Sequence, residues 1–240
     1  MPILALRGLL RLRNLVVIVL PAVALGLFAL ALQGRVDERV AAGAISVAIV
    51  PAPLVGPGIV TRMRGRMDLA GALGLGTILV SLLVVGSRGS LAAAALFAAF
   101  EAFAIAAMVA GAIPQVRDPL LPALRVIGWL AFAVVLVTAL LASIELLSAL
   151  LAGSTVTPPA LVAGSIAVAV ALLGIGVVTA YAAALVTDRD PLATITGAGL
   201  RDPALAVALA AATSGPDATG VPLVYALFCL VLAGLALLRR

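Results

Sequence analysis

By hydropathy alone the chain resolves into eight apolar stretches, roughly 14–32, 40–61, 69–87, 89–113, 120–151, 159–187, 191–213 and 220–238, each ended by charge, Gly or Pro. None alternates polar and apolar residues with a period of two, so all eight are predicted as helices. Stretches of about 20 apolar residues are long enough to cross a lipid bilayer. Two of the eight cannot be ordinary spanning helices. The stretch 191–213 carries Gly197, Gly199, Arg201, Asp202 and Pro203 at its centre, and 40–61 carries Pro51, Pro53, Gly56, Pro57 and Gly58. Proline removes a backbone donor and biases the residue before it away from the α region, and the glycines hold helix weakly. Both stretches are therefore expected to break near mid-membrane.

Composition confirms the class and narrows the chemistry. The chain is 65% hydrophobic and 10% charged, with a mean hydropathy of +1.32, values incompatible with a soluble domain bearing a polar surface. The expected fold is an all-α polytopic membrane protein. All 15 basic residues are Arg, most of them between the apolar stretches, so the net positive charge describes loops and not a nucleic-acid-binding face. A lone cysteine, Cys229, and the lack of histidine leave no disulfide and no Cys/His metal cluster. No catalytic dyad is apparent either, so no enzymatic role is expected. Arg7, Arg11 and Arg13 precede the first apolar run, but that run is too long for a signal core and lacks a small-residue cleavage site.

Arginine placement predicts orientation. Arg7, Arg11, Arg13, Arg62, Arg64, Arg66, Arg117, Arg125, Arg189, Arg239 and Arg240 fall on one side, and Arg35, Arg39 and Arg88 on the other. The excess places both termini in the cytoplasm, in what is expected to be a bacterial plasma membrane. A shift of about 150 residues superimposes Pro53 on Pro203 and Gly65 on Gly215, and brings Asp68 near Asp217. The first three helices thereby match the last three across an odd number of crossings, so the copies enter the membrane from opposite sides. This is an inverted repeat, an arrangement that sets a binding site between the two breaks. The predicted units are 1–88, a first core; 89–152, two connecting helices; and 153–240, a second core.

These motifs resemble the bile acid:sodium symporter family. Its first crossover reads Pro-Gly-Gly-x-x-Ser-Asn and is followed about ten residues later by a Gly-Asp-x-Asp-Leu turn. Here Pro51-Ala52-Pro53-Leu54-Val55-Gly56-Pro57 and Gly65-Arg66-Met67-Asp68-Leu69 correspond. The second reads Glu-x-Gly-x-Gln-Asn-x-x-Leu-Ala, where this chain has Gly197-Ala198-Gly199-Leu200-Arg201-Asp202-Pro203-Ala204-Leu205-Ala206. The resemblance implies a secondary transporter of a small organic anion working by alternating access. It also implies a short variant lacking the family's first two helices, with half a panel formed by 89–113 and 120–151. A homodimer through those two helices would complete the panel.

In the family, the Ser, Asn, Glu and Gln of these motifs help hold sodium. Gly56, Pro57, Gly197 and Arg201 stand in their places here, removing oxygen ligands and adding a positive charge. Sodium coupling is therefore not expected, which leaves a proton as the alternative, and no other cofactor is implied. The substrate site is expected around Pro51, Pro53, Gly56, Pro57, Gly58, Gly197, Gly199, Arg201, Asp202 and Pro203. Each key residue also has a plainer reading. Arg201 and Asp202 form either an anion-binding centre or a self-satisfied adjacent ion pair. Thr77 is an oxygen donor at the site or a hydroxyl bonded to its own helix. Glu101 is a proton carrier or a buried acid gluing helices within an alanine-rich face. A non-transporting scaffold, or a degenerate subunit that needs a partner, is the alternative to transport.

Overall fold

A computed structural model describes residues 12–53, 60, 63, 65–86 and 159–238. Within these the chain is helical: α1 (Leu12–Ala31), α2 (Glu38–Ile49), α3 (Met67–Gly86), α4 (Pro159–Thr187), α5 (Pro191–Thr194), α6 (Pro203–Ser214) and α7 (Gly220–Leu238). Three stretches are long and apolar enough to cross a membrane, Arg13–Ala31, Ala160–Thr187 and Pro191–Ser214. The predicted helices 89–113 and 120–151, Glu101 and the proposed dimer face lie outside the described residues, as do Gly56, Pro57 and Gly58.

Local chemistry sets the ends. The Asp37 carboxylate caps α2 by accepting from the Arg39 N–H at 2.9 Å, and Glu38 in the first turn suits the positive end of the helix dipole. Gly34, at φ +70°, turns the chain between α1 and α2 in a conformation that side chains resist. At 29 residues, α4 is about 43 Å long, enough to span a bilayer core with tilt. It stops at Asp188, which takes the left-handed conformation at φ 53°. Asp190 then caps α5 through the Leu192 N–H, with Pro191 at the first helical position.

α1 and α4 pack side by side in opposite directions. Leu25 and Ala29 join Val168, Ala169 and Leu172 in one apolar core, while Val17 and Ile18 meet Ala183 in a second. The first core continues into α2, α6 and α7 through Val47, Leu209 and Tyr225. Outward faces stay apolar and exposed, as at Leu27, Val178 and Leu185, which suits lipid contact and not water. At one end of the bundle Arg39 approaches Asp217 at 3.8 Å. At the other, the Asp190 carboxylate accepts from the Arg66 N–H at 2.7 Å.

Two predicted stretches differ in detail from their expected course. The one at 40–61 begins as α2 at Glu38 and ends at Ile49; Val50 is extended at φ −72°, ψ 152° because Pro51 follows it. The stretch 191–213 is three pieces: α5, a π turn over Ile195–Gly199, and α6. The interruption lies at Leu200–Asp202. Pro203 opens a new helix there, with Asp202 as its cap.

Candidate functional site

The two interruptions touch. The Asp202 N–H donates to the Pro51 carbonyl at 2.8 Å, so a group freed in one broken helix satisfies a group freed in the other. Each break is then tied to a later helix of its own half. Ala52 N–H donates to the Thr77 hydroxyl on α3 at 3.0 Å, and Arg201 N–H donates to the Tyr225 hydroxyl on α7 at 2.9 Å. The sequence separations are 25 and 24 residues, so the same device recurs in both halves. Other hydroxyls in these helices, such as Ser46, Thr179 and Thr187, bond back to carbonyls of their own turn. Thr77 does both, giving its proton to the Gly74 carbonyl at 2.7 Å while accepting from Ala52.

Close backbone approach brings the second break into the core. A side chain on Gly176 would strike the Gly199 carbonyl, and one on Gly197 would meet the Ala70 carbonyl at 2.7 Å. The π turn is thus wedged between α3 and α4, near the middle of α4. Gly197 and Gly199 are the surfaces through which the turn meets α3 and α4.

Arg201 and Asp202 diverge. The Asp202 carboxylate accepts from the Leu205 N–H at 3.0 Å and caps α6. Arg201 is 2% exposed, and its Nε and Nη2 have no hydrogen-bond partner. Arg201 borders a cavity of ≈140 Å³ whose other described walls come from the first half of the chain: Gly26 and Ala29 of α1, Ile45 and Ile49 of α2, and Val80 and Ser81 of α3. Among the described residues of this lining, Arg201 carries the charge and Ser81 the hydroxyl. Pro51 and Pro53 sit at the seam with α3, since Ala52 between them is held by Thr77.

A buried guanidinium is costly by several kcal/mol unless paired. Carboxylates and phosphates fit its fork bidentately. No group of three or more His, Cys, Asp or Glu able to hold a metal occurs among the described residues. Tyr225 is the site residue that hydropathy reading passes over. The usable signal was its hydroxyl, which needs a partner wherever an apolar run is buried. No protein-family model matches the chain, and no curated protein matches it.

Proposed function

We propose that this chain is a secondary transporter of a small organic anion, working by alternating access and built in the manner of the bile acid:sodium symporter family. The observation that carries the proposal is Arg201, buried beside the contact of two broken helices, with Nε and Nη2 unpartnered and a cavity at its side. Discontinuous helices meeting at mid-depth are how such carriers build a site from backbone and a few side chains.

The inverted repeat is supported by the order of elements and by the two ends of the bundle. α1 and α4, the first helices of each half, run antiparallel. Each half then passes through an interruption whose backbone N–H is held by a hydroxyl from the next long helix. Eight crossings with cytoplasmic termini follow from the same reading. Sodium is not the obligatory driver, because an uncompensated guanidinium repels a cation where oxygen ligands are few. A proton gradient, or exchange of one anion for another, drives the cycle.

The test is uptake of a panel of labelled organic anions into proteoliposomes holding the full chain, with sodium, proton or no gradient imposed. Uptake of at least one anion without sodium, lost in Arg201→Gln, is the expected result. Strict sodium dependence, full activity in Arg201→Gln, or no uptake under any gradient overturns the reading.

A further inference from the structure

We infer that the bundle is gated at the end where α3 and α5 begin, by an apolar plug that Asp190 latches shut. The inference rests on the transport reading and names the moving part of its cycle. Three observations carry it. The first is that the molecule is packed on one side of the breaks and hollow on the other. Thr77 marks their level on α3, since its hydroxyl accepts from the Ala52 N–H. Leu73 and Leu69, about one and two turns before it, belong to a packed core with Val17, Ala183 and Ala193. Val80, Ser81 and Val84, about one to two turns after it, border the cavity. α1 divides in the same way: the cavity borders it from Ala22 to Leu30, and the packed core takes Val17 and Ile18. The plug therefore lies between the cavity and the end of the bundle that carries Arg13.

The second observation is the latch. Asp190 Oδ2 accepts from the Arg66 N–H at 2.7 Å, one residue before α3, and Oδ1 accepts from the Leu192 N–H at 3.0 Å in α5. Gly65 closes on the same carboxylate, for a side chain built there would meet Asp190 Oδ2 and Leu192 at 3.1 Å each. One carboxylate thus holds the start of α3, in the first half, to the start of the second broken stretch. Its bonds are of the charge-assisted kind, stronger than those between neutral groups.

The third is the contrast with the opposite end. There Arg39 and Asp217 stand 3.8 Å apart with side chains 51% and 72% exposed, a pair that solvent weakens. The firm connection is on the plugged side. Opening that side means breaking the Asp190 bond to Arg66, which frees the start of α3 to leave α5 and uncovers Val17 and Leu73.

The experiment is labelling of single cysteines by a sulfonated methanethiosulfonate that does not cross the bilayer, in right-side-out and inverted membrane vesicles. The full chain carries Cys229→Ala, so each reporter is the sole thiol. Arg13→Cys and Arg35→Cys, exposed at the two ends of α1, identify the faces. Ser81→Cys should label from the Arg35 face alone, and Val17→Cys and Leu73→Cys from neither. Adding Asp190→Ala should speed labelling of both plug reporters from the Arg13 face by about tenfold or more, the effect on a local opening of losing one hydrogen bond to a charged group. Adding Asp217→Ala should leave them protected. Ala169→Cys, buried in the other core, should stay protected throughout, which separates gate opening from general loosening. Plug reporters that stay protected in Asp190→Ala overturn the inference, as does Ala169→Cys becoming exposed with them. So does Ser81→Cys labelling from the Arg13 face or from neither. Labelling needs no substrate, so the two readings fail separately. The expected pattern in a chain with no uptake refutes transport alone, and uptake in a chain whose plug ignores Asp190→Ala refutes the latch alone.

Discussion

Tyr225→Phe removes one oxygen and should destabilise the whole site. The hydroxyl accepts from Arg201 N–H at 2.9 Å, and both residues are almost fully buried, at 1% and 2% exposure. Phe keeps the ring packing, so the loss is that of one acceptor for a donor with no water to replace it. Leaving a buried backbone N–H unsatisfied costs about 1–3 kcal/mol. Thr77→Val makes the equivalent change at Ala52 and should cost about the same, since the Thr77 proton goes only to a helix carbonyl of its own turn. The two sites are joined by the Asp202 N–H to Pro51 carbonyl bond, one residue from each. The double variant should therefore depart from additivity by about 0.5 kcal/mol or more. Reversible unfolding in mixed micelles, followed by far-ultraviolet circular dichroism, measures all three variants. Single losses under about 0.3 kcal/mol, or strict additivity, would refute the claim that hydroxyls from α3 and α7 hold the breaks.

Two further predictions concern packing and the loop ends. Gly176→Ala places a methyl group against the Gly199 carbonyl and should cost about 1–3 kcal/mol. Gly174→Ala, one turn-fraction away with nothing within 4 Å, should instead stabilise α4 by about 0.5–1 kcal/mol; the same unfolding assay compares them, and equal effects would contradict the wedge. Asp190→Ala removes the acceptor for both Leu192 N–H and Arg66 N–H, so it should cost about 0.5–2 kcal/mol as a lost cap and speed tryptic cleavage after Arg66. Unchanged cleavage would show that the 65–66 turn is held by other contacts.

The course of the long helices was legible from the chain because membrane physics leaves few options. The α4 boundaries at Pro159 and Thr187 match the apolar run 159–187, since Pro at the start and Asp188-Arg189-Asp190 at the end are strong signals. Both breaks were visible as well, because proline cannot donate. What could not be read was the partnering. Adjacent Arg201 and Asp202 suggest an ion pair, yet the backbone around them is extended, with ψ 154° at Leu200 and 110° at Asp202. Successive side chains on an extended backbone point to opposite sides, so Asp202 turns to its helix and Arg201 to the cavity. The π turn was equally hidden. Ile195–Gly199 has no composition that forbids an ordinary helix, and the extra residue per turn accompanies the contacts of Gly197 and Gly199 with α3 and α4. Tyr225 read as core because its hydrophobic neighbours give no hint that its hydroxyl is spoken for.

The backbone groups at the breaks find partners, and the unmet hydrogen bonding of the site falls on Nε and Nη2 of Arg201. Breaking a helix inside a bilayer exposes donors and acceptors, and each unsatisfied one costs several kcal/mol in hydrocarbon. Here Pro51, Pro53 and Pro203 have no donor to lose. The Ala52, Arg201 and Asp202 N–H groups go to Thr77, Tyr225 and Pro51, and the N–H groups of Leu205 and Ala206 go to the side chain and carbonyl of Asp202. The prolines thus act as much by deleting donors as by bending the chain. Once these backbone groups have settled among themselves, the break needs no ligand to hold its shape. The unmet demand passes to Nε and Nη2 of Arg201, so on the transport proposal an anion arrives and leaves without the scaffold of the site dissolving each time.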